Sequence, residues 1–324
     1  MIKLGMVQKR YNFKPMKGPL FYAKILLFGE YGIIKDAKGL SIPYNFYKGA
    51  LKISNTKTDS AKASNQKLTE FADYLENLDS KLVSFNSEQF RLDLSRGLYF
   101  DSSIPQGYGI GSSGALVAAI YDRYANNKIT ILENLTRDKL LKLKQIFGLM
   151  ESFFHGQSSG LDPLNSFLSL PILIHSKDVL EATGIPSQSQ AGKGAVFLLD
   201  SGTMGETAPM VNIFMQNMES ASFRKMVKEK FISYSDNCVE HFLNGDIKSL
   251  FGDLKRLSNT VLTHFKPMIP KQFHDLWKTG IDTNAYYLKL CGSGGGGYIL
   301  GFTEDISKAR DVLKDHRLEV VYTF

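Results

Sequence analysis

The stretch Pro105-Gln106-Gly107-Tyr108-Gly109-Ile110-Gly111-Ser112-Ser113-Gly114-Ala115 places three glycines at alternate positions directly before two serines. Apolar side chains then recur at helical spacing, at Leu116, Val117, Ile120, Tyr121 and Tyr124, which predicts a helix that begins near Ser112. Glycine lets a backbone approach a ligand closely, and the unpaired N–H groups that open a helix attract anions. The residues alone allow two interpretations: a phosphate site at a helix N-terminus, or a tight loop capped by serine.

The bulk composition is that of a globular protein large enough for two domains. The chain has 324 residues, of which 43% are hydrophobic and 22% are charged, and a domain typically holds about 100–200 residues. No apolar run reaches the ~20 residues of a membrane helix, and the first ten residues lack the apolar core of a signal peptide. The two cysteines, Cys238 and Cys291, are too few for a disulfide framework or a cysteine zinc site. We therefore expect a cytoplasmic protein without a membrane partner.

The net charge restricts the class of partner. A formal charge of +7 is compatible with nucleic acid, an acidic surface or small anionic substrates. The lysines are interspersed with acidic residues, and the densest patch, Met226-Val227-Lys228-Glu229-Lys230, is typical of a solvated helix face. We therefore expect an anionic small molecule and no nucleic acid.

Lys24 is the one charged residue inside the apolar run Leu20–Phe28. The run predicts a buried strand that ends at glycines. Lysine is rarely buried without a partner, so Lys24 either extends its ammonium group to solvent or faces an anion in a cleft. Asp162 is the second residue of interest. Because Pro163 follows it, its backbone is biased toward extended geometry, and taken alone it is a turn aspartate.

The order of patterns along the chain predicts mixed α and β structure in two domains. A linker rich in Pro, Ser, Gln and Gly covers 184–194 and predicts domains over 1–192 and 193–324. Residues 1–19 predict a mobile arm or an edge strand. The other expectations are a polar loop over 55–67, strands over 20–32, 39–54, 90–95, 172–174, 195–202, 285–290, 298–302 and 318–322, and helices over 68–78, 112–124, 136–155, 211–243, 246–264, 270–279 and 305–315.

Two stretches formally match the dinucleotide fingerprint, Gly109–Gly114 and Gly292–Gly297, and Glu133 lies where a ribose carboxylate would be expected. The fingerprint requires an apolar strand that ends at its first glycine, whereas Asp101-Ser102-Ser103-Ile104-Pro105 precedes the first stretch. Neither stretch is followed by Gly-Lys-Ser/Thr, so the common triphosphate loop is absent. A nicotinamide-dependent oxidoreductase remains the alternative from another enzyme class.

Three separated stretches resemble the three motifs of the GHMP small-molecule kinases, in the order that this family has them. They are Ala23-Lys24-Ile25-Leu26-Leu27-Phe28-Gly29-Glu30, the stretch from Pro105 to Ala115, and Leu288-Lys289-Leu290-Cys291-Gly292-Ser293-Gly294-Gly295-Gly296-Gly297. The resemblance implies a two-domain α+β fold, with an N-terminal domain like ribosomal protein S5 domain 2 and a ferredoxin-like C-terminal domain. It also implies transfer of a phosphoryl group from ATP with Mg²⁺.

The resemblance also implies roles for individual residues. The segment from Glu151 to Asp162 is similar to the segment of mevalonate kinases that carries a metal-binding glutamate and the catalytic aspartate. The resemblance assigns catalysis to Lys24 and Asp162, ATP contacts to Ser102, Gly107, Tyr108, Gly109, Ile110, Gly111, Ser112 and Ser113, metal ligation to Ser113 and Glu151, and acceptor contacts to Lys24, Glu30, Tyr31, His155, Asp162, Gly294 and Gly295. Asp162 would accept the proton of the acceptor hydroxyl or act as an electrostatic anchor.

Several positions depart from the motifs of mevalonate kinases. Tyr31 stands where those enzymes commonly have histidine, Gln106 and Gly114 replace proline and alanine, and Pro163 follows the aspartate in place of asparagine. None of these changes removes a catalytic group. The expected acceptor is mevalonate, with phosphomevalonate or the acceptor of another GHMP kinase as the alternative. The sequence does not fix the oligomeric state, and a homodimer is compatible with it.

Overall fold

The computed structural model describes residues 19–54, 58–130, 135–189 and 191–324. The arm expected over 1–19 lies outside these residues except for Pro19, and Glu133 lies outside them too. No helix in the described ranges is long and apolar enough to span a membrane.

In the described part of the chain, the first half forms a five-stranded antiparallel sheet around one long central strand. The strands are β1 (Phe21–Phe28), β2 (Gly39–Ile53), β3 (Leu98–Ser102), β4 (Ile172–Ser176) and β5 (Val179–Ala182). One edge of β2 pairs with β1 over residues 40–49. Its other edge pairs with β4 over 39–41 and with β3 over 49–53. This register places the end of β1, with Gly29 and Glu30, beside the start of β2.

Helices from the same half of the chain pack around this sheet. They are α1 (Asp59–Glu76), α2 (Ser87–Ser95), α3 (Ser112–Tyr124), α4 (Arg137–His155) and α5 (Leu161–Leu168). The helix that follows the first glycine loop, α3, is apolar on most sides, and it packs against α4, α5, β1 and β2. The start of α3 is therefore held rigidly beside β1 and α5.

Two sequence predictions in this half are wrong. Most of the polar segment 55–67 belongs to α1, whose first turn is capped by the Thr58 hydroxyl, which accepts from the N–H of Ala61. Residues 90–95 are helical, not extended, because Phe90 and Leu94 are four positions apart and share the buried face of α2, while Leu92 is 43% exposed. Alternation over so few residues fits a helical face as well as a strand.

The extended geometry predicted for Asp162 is also wrong, because Asp162 lies in the first turn of α5. Gly160 occupies the N-cap position with φ 74°. Pro163 is tolerated in this turn because its missing N–H would have no partner inside the helix. The helix start fixes the direction in which the Asp162 carboxylate leaves the backbone.

In the described part of the chain, the second half forms a four-stranded antiparallel sheet in the order β7-β8-β6-β9. The strands are β6 (Ala195–Asp200), β7 (Tyr287–Leu290), β8 (Tyr298–Thr303) and β9 (Leu318–Thr323). A helical block connects β6 to β7, and one helix connects β8 to β9, which is the ferredoxin-like arrangement. The predicted α+β class and the ferredoxin-like second half are confirmed. The proposed domain boundary after residue 192 falls between β5 and β6.

The helices of the second half are α6 (Thr207–Asn217), α7 (Ala221–Met226), α8 (Ser233–Asn244), α9 (Ile247–His264), α10 (His274–Thr283) and α11 (Ile306–Val312). A π-helical segment, Val227–Ile232, joins α7 to α8 without a break, and short 3-10 helices cover Gly32–Lys35, Lys266–Met268 and Lys271–Phe273. The single helix predicted over 211–243 is interrupted at 218–220. There the Arg224 guanidinium donates to the carbonyls of Met218 and Glu219, which the end of α6 leaves without helical partners.

The two sheets meet along β1. The ring of Phe28 stacks on Phe302 of β8 at 5.4 Å between centroids and meets Phe242 of α8 edge-on at 6.2 Å. On the surface, Lys38 forms an ion pair with Glu240. The packing between the two sheets brings the end of β1 against β7 and against the turn that follows β7.

Candidate active site

The centre of the candidate site is an ion pair between Lys24 on β1 and Asp162 on α5. The Nζ atom of Lys24 lies 2.8 Å from Oδ1 of Asp162, and the side chains are 5% and 36% exposed. Burial alone would lower the pKa of the Lys24 ammonium group, but the ion pair and hydrogen bond with Asp162 outweigh burial and raise this pKa. Lys24 therefore faces an anion, and the interpretation in which it extends to solvent is wrong.

The first glycine loop enters α3 beside this pair. Gly107, Gly109 and Gly111 have φ angles of 75°, 76° and 82°, a region that side chains disfavour. Gly111 holds the N-cap position of α3 without a side-chain cap, and both serines lie inside the helix. The serine-capped loop is therefore wrong as an interpretation, and the first N–H groups of α3 have no side-chain cap.

The loop is fixed to the ion pair through backbone contacts. The N–H of Lys24 donates to the carbonyl of Ile110 at 3.0 Å. A Cβ atom placed on Gly111 would lie 3.0 Å from Cγ of Lys24 and 3.7 Å from Oδ2 of Asp162. The fold therefore brings the first glycine loop and both charged groups together.

Gly114 holds α3 and α5 in backbone contact. A Cβ atom at this position would lie 2.7 Å from the carbonyl carbon of Asp162 and 2.8 Å from the nitrogen of Pro163. The small residue at the position where the related motif has alanine thus lets α5 approach closely, and that approach sets the position of the Asp162 carboxylate.

We expect Gly114→Ala to destabilise the protein by about 1–3 kcal/mol, because the backbone of α5 must move to admit the new methyl group. The turnover rate of this variant should also fall, because Asp162 moves together with the backbone of α5. The matched control is Gly252→Ala in α9, where an added Cβ meets nothing within 4 Å and should stabilise by about 0.5–1 kcal/mol. Urea unfolding of both variants provides the measurement, and a Gly114→Ala protein as stable as the parent would contradict the packing argument.

A cluster of oxygen atoms lies at the start of α3. The Ser113 hydroxyl donates to Oε1 of Glu151 at 2.9 Å, the Ser158 hydroxyl donates to Oε2 at 2.5 Å, and Nε2 of His155 lies 3.0 Å from Oγ of Ser113. Burial, followed by the charge of Asp162, raises the pKa of Glu151 to about 7 against the opposing hydrogen bonds from Ser158 and Ser113 and the charge of Lys24. An added cation would favour the ionised carboxylate.

The donor set in this cluster fits Mg²⁺ bound together with phosphate. Ser113 and Glu151 offer hard oxygen ligands, and Mg²⁺ is commonly held by one or two protein ligands plus substrate phosphates and water. No group of three or more His, Cys, Asp or Glu side chains in the described ranges could hold a metal ion. An ion here would therefore depend on phosphate oxygens for much of its coordination.

The second glycine turn, residues 291–297, connects β7 to β8 and faces the first loop. Residues 203–205, which we call the 203–205 strap, cross between the two. The N–H of Gly205 donates to the carbonyl of Gly107 at 2.9 Å, and the N–H of Gly297 donates to the carbonyl of Thr203 at 2.6 Å. The strap therefore joins both glycine segments through backbone groups.

A cavity of about 300 Å³ opens between the ion pair, the end of β1, α6 and the second glycine turn. Its lining is Lys24, Leu26, Gly29, Glu30, Tyr31, Ile33, Ile34, Ser41, Gly107, Gly109, Ser159, Leu161, Asp162, Gly205, Thr207, Val211, Cys291, Gly292, Ser293, Gly294 and Gly296. The cavity thus combines charged groups at one end with apolar side chains along its walls.

The structure divides the residues that the sequence singled out. Lys24, Glu30, Tyr31, Gly107, Gly109, Asp162 and Gly294 line the cavity. Gly111, Ser112, Ser113, Glu151 and His155 lie around the start of α3, and Tyr108 and Ile110 belong to the loop itself. Ser102 ends β3, where its hydroxyl accepts from the N–H of Ile104, and a Cβ atom at Gly295 would meet Met210, away from the cavity.

Tyr31 has a structural partner in the second glycine turn. Its hydroxyl donates to the carbonyl of Ser293 at 2.6 Å, and its ring packs 4.7 Å from that of Phe214. Burial, with a smaller contribution from the Glu30 charge, raises the pKa of the Tyr31 hydroxyl, so this group remains a hydrogen-bond donor. Tyr31 thus binds the turn to the end of β1.

Sequence reasoning missed Lys289, which forms an ion pair with Glu30 at 2.5 Å. The signal was available, because Lys289 is a single charge inside the apolar strand β7, as Lys24 is inside β1. It also missed Ser41 and Thr207, which line the cavity without belonging to a motif, and it gave no role to Ser159, which lines the cavity and lies within the segment from Glu151 to Asp162.

Cys291 lines the cavity, and burial raises the pKa of its thiol to about 12. We expect slow alkylation of Cys291 by iodoacetamide at pH 8, since the thiolate is the reactive form. Because the thiol is neutral below this pKa, the rate should continue to rise about tenfold per pH unit beyond pH 9, where an ordinary thiol levels off. Peptide mass spectrometry of native and urea-unfolded protein measures this, and a native rate that levels off near pH 9 would contradict the assignment.

Comparison with known proteins agrees with this geometry. Residues 68–168 match the family model described as the GHMP kinases N terminal domain. The solved structure of L. major mevalonate kinase in complex with R-mevalonate is similar in fold, with a TM-score of 0.64 and 16% identity, over 95% of this chain and 97% of that one. No curated protein sequence matches the chain. Over residues 68–168 the chain is therefore similar to the N-terminal domain of the GHMP kinases.

Two further structures support the fold over nearly the whole chain. Methanococcus jannaschii mevalonate kinase has a TM-score of 0.58 at 14% identity, over 97% of this chain and 99% of that one. Streptococcus pneumoniae phosphomevalonate kinase, solved with phosphomevalonate and AMPPNP, has a TM-score of 0.59 at 14% identity, over 96% and 99%. The resemblance to the GHMP kinases is confirmed, and its mevalonate kinase and phosphomevalonate kinase members share the fold of this chain.

Proposed function

We propose that this protein is an ATP- and Mg²⁺-dependent kinase that phosphorylates the 5-hydroxyl group of mevalonate. The observation that carries the proposal is the 2.8 Å pair of Lys24 and Asp162, which stands between the first glycine loop and the 300 Å³ cavity. In this arrangement the loop would hold the phosphates and the cavity would hold the acceptor. The reacting hydroxyl would then meet the γ-phosphate at the ion pair.

On the acceptor side, Asp162 would accept or polarise the proton of the 5-hydroxyl group. The oxygen of that hydroxyl group attacks the γ-phosphorus of ATP. The bond from that phosphorus to the β,γ-bridging oxygen breaks, and ADP leaves with the electron pair. The Lys24 ammonium group, 2.8 Å from Asp162, stabilises the negative charge on the transferring group. Lys24 is fixed on β1 and Asp162 in the first turn of α5. Little further entropy is therefore lost in aligning these two groups with the reacting atoms.

On the nucleotide side, the free N–H groups of the loop and of the first turn of α3 would bind the phosphate oxygens of ATP. Ser113 and Glu151 would hold Mg²⁺, which neutralises phosphate charge when it is bound. Ser158 orients Glu151 from behind through its 2.5 Å hydrogen bond. The residues of this chain thus position the phosphates and leave the chemistry to the ion pair.

The composition of the cavity wall favours mevalonate over the alternatives. The apolar side chains of Leu26, Ile33, Ile34, Leu161 and Val211 suit its methyl and methylene groups better than a sugar, which needs a polar partner for each hydroxyl. Lys24 is the one cationic side chain among the described residues of the lining. A phosphate group adds nearly two negative charges, so phosphomevalonate is less well matched.

The proposal is tested by coupled ADP release with ATP and Mg²⁺ across mevalonate, phosphomevalonate, galactose and homoserine. We expect turnover with mevalonate at a kcat/KM at least about tenfold above that for the other acceptors. Preference for phosphomevalonate would replace the acceptor but keep the kinase. Tight binding of NAD with no ADP release from any acceptor would overturn the proposal in favour of the oxidoreductase alternative.

A further inference from the structure

Besides the Lys24–Asp162 pair, which lies within the first half of the chain, Glu30 and Lys289 form a buried ion pair that joins the two halves. The Nζ atom of Lys289 lies 2.5 Å from Oε1 of Glu30, and each side chain is 5% exposed. The two residues are 259 positions apart in the sequence. Glu30 lines the large cavity, whereas a void of about 10 Å³ separates the same pair from Phe231 and Leu257 on its other side. Among the described residues, the 300 Å³ cavity is therefore the space from which a ligand can reach Glu30.

Stability alone does not account for a lysine at this place. All four residues of β7 are buried, and burying a cation costs free energy even when it is paired. An apolar pair of similar volume is often as stable as a buried ion pair or more so. The ammonium group of Lys289 also donates to the carbonyl of Leu290 at 2.9 Å. The charged partner of the Lys289 ammonium group is the Glu30 carboxylate.

The charges around Glu30 show what Lys289 contributes. Burial raises the pKa of Glu30, whereas the ammonium group of Lys289, and after it that of Lys24, oppose the rise. Tyr31 and Cys291 are the other titratable groups that face this carboxylate, and both are neutral at physiological pH because burial raises their pKa values. Lys24 is already paired with Asp162. Burial still outweighs these opposing groups and leaves the pKa of Glu30 raised, and Lys289 is the main cation that opposes the rise.

We propose that Lys289 is a positioning residue that holds the Glu30 carboxyl group at the cavity, where Glu30 accepts a hydrogen bond from a second hydroxyl group of the acceptor. This inference rests on the proposed function, because it names the part of the acceptor that is not phosphorylated. In mevalonate the second hydroxyl is that on carbon 3. Hydrogen bonds to a buried carboxylate are among the stronger ones in proteins, so this contact would distinguish acceptors with the hydroxyl from those without it.

The first test is steady-state kinetics of Lys289→Met, Glu30→Gln and the double variant. We expect each single change to raise the KM for mevalonate about tenfold or more, because a charge-assisted hydrogen bond is lost. The KM for ATP should stay within about twofold. The double variant should be no worse than Glu30→Gln, since Lys289 acts through Glu30. Additive effects of the two changes would overturn the inference.

The acceptor itself supplies a second test. With 5-hydroxy-3-methylpentanoate, which lacks the hydroxyl on carbon 3, the parent protein should already show the raised KM, and neither variant should raise it further. An equal loss on both acceptors would mean that Lys289 and Glu30 serve only the structure. The matched control is Lys38→Met, which removes a surface ion pair between the two halves of the chain and should leave both KM values unchanged.

The pH profile separates positioning from packing. Without Lys289 the pKa of Glu30 rises further, so the carboxyl is protonated at lower pH and ionised only above this raised pKa. The kcat/KM of Lys289→Met for mevalonate should therefore recover as pH increases, and the double variant should show no such recovery. A profile of Lys289→Met parallel to that of the parent would contradict the role of charge. If Lys289→Met does not fold, the double variant compared with Glu30→Gln still decides, because a neutral pair leaves no buried charge.

A spectroscopic measurement keeps this inference apart from the proposed function. Infrared difference spectra recorded as a function of pH should show the protonated carboxyl of Glu30 persisting to higher pH in Lys289→Met than in the parent, and the double variant should give no such signal. This signal does not require turnover. Absence of all turnover in the parent would defeat the proposed function, whereas absence of the carboxyl signal would defeat the role of Lys289.

Discussion

Replacing Asp162 by asparagine is expected to lower kcat about 10³-fold, since proton transfer by a positioned carboxylate contributes about 10²–10⁴ in rate. The affinity for ATP should stay within about twofold, because the first glycine loop and the start of α3 remain intact. Asparagine keeps the shape of the side chain, so α5 and its contact with Gly114 should not change. Steady-state kinetics combined with nucleotide titration of the same preparation measures both quantities.

A matched control for this substitution is available on the surface. Asp101 pairs with Lys52, and both side chains are about half exposed, so Asp101→Asn removes a similar ion pair away from the site. We expect it to leave kcat and stability nearly unchanged, because surface ion pairs contribute little. If Asp162→Asn turned over at the rate of Asp101→Asn, Asp162 could be neither the base nor an electrostatic anchor.

Replacing Lys24 by methionine is expected to lower kcat about 10²–10³-fold, the loss that follows removal of one preorganised donor at a developing charge. Methionine has nearly the length of the lysine stem and fits a side chain that is 5% exposed. The double variant with Asp162→Asn should lose little more than the single variant that is more affected, because the two groups act as one unit. Kinetics of the three variants with Lys52→Met as control tests this, and multiplied losses in the double variant would show independent roles.

Lys24 and Asp162 could both be singled out from the sequence. Lys24 interrupts an apolar strand, and Asp162 lies in a segment that resembles a kinase motif. The 2.8 Å contact between them was not predictable from either pattern. It depends on the close crossing of α3 and α5 at Gly114 and on β1 lying beside both helices.

Other parts of the site leave little trace in the sequence. The 203–205 strap joins both glycine segments through backbone N–H and carbonyl groups, and nearly every residue type except proline supplies both groups. The pair of Glu30 and Lys289 spans 259 positions, so its partners could be matched only after the two sheets were placed against each other. The predictions for segments 55–67 and 90–95 were wrong for a local reason. A short polar or alternating run does not distinguish a half-buried helix from a loop or a strand.

In the proposed mechanism, the Lys24–Asp162 pair directs the γ-phosphoryl group of ATP to a hydroxyl in the cavity. Its most direct test is a single-turnover rapid-quench experiment with γ-³²P-labelled ATP, Mg²⁺ and mevalonate, performed on the parent protein and on Asp162→Asn. We predict that the parent transfers the label to the 5-oxygen of mevalonate, and that Asp162→Asn binds the same amount of ATP but transfers the label about 10³-fold more slowly. Equal transfer rates in the two proteins, or label released only as inorganic phosphate, would contradict the claim.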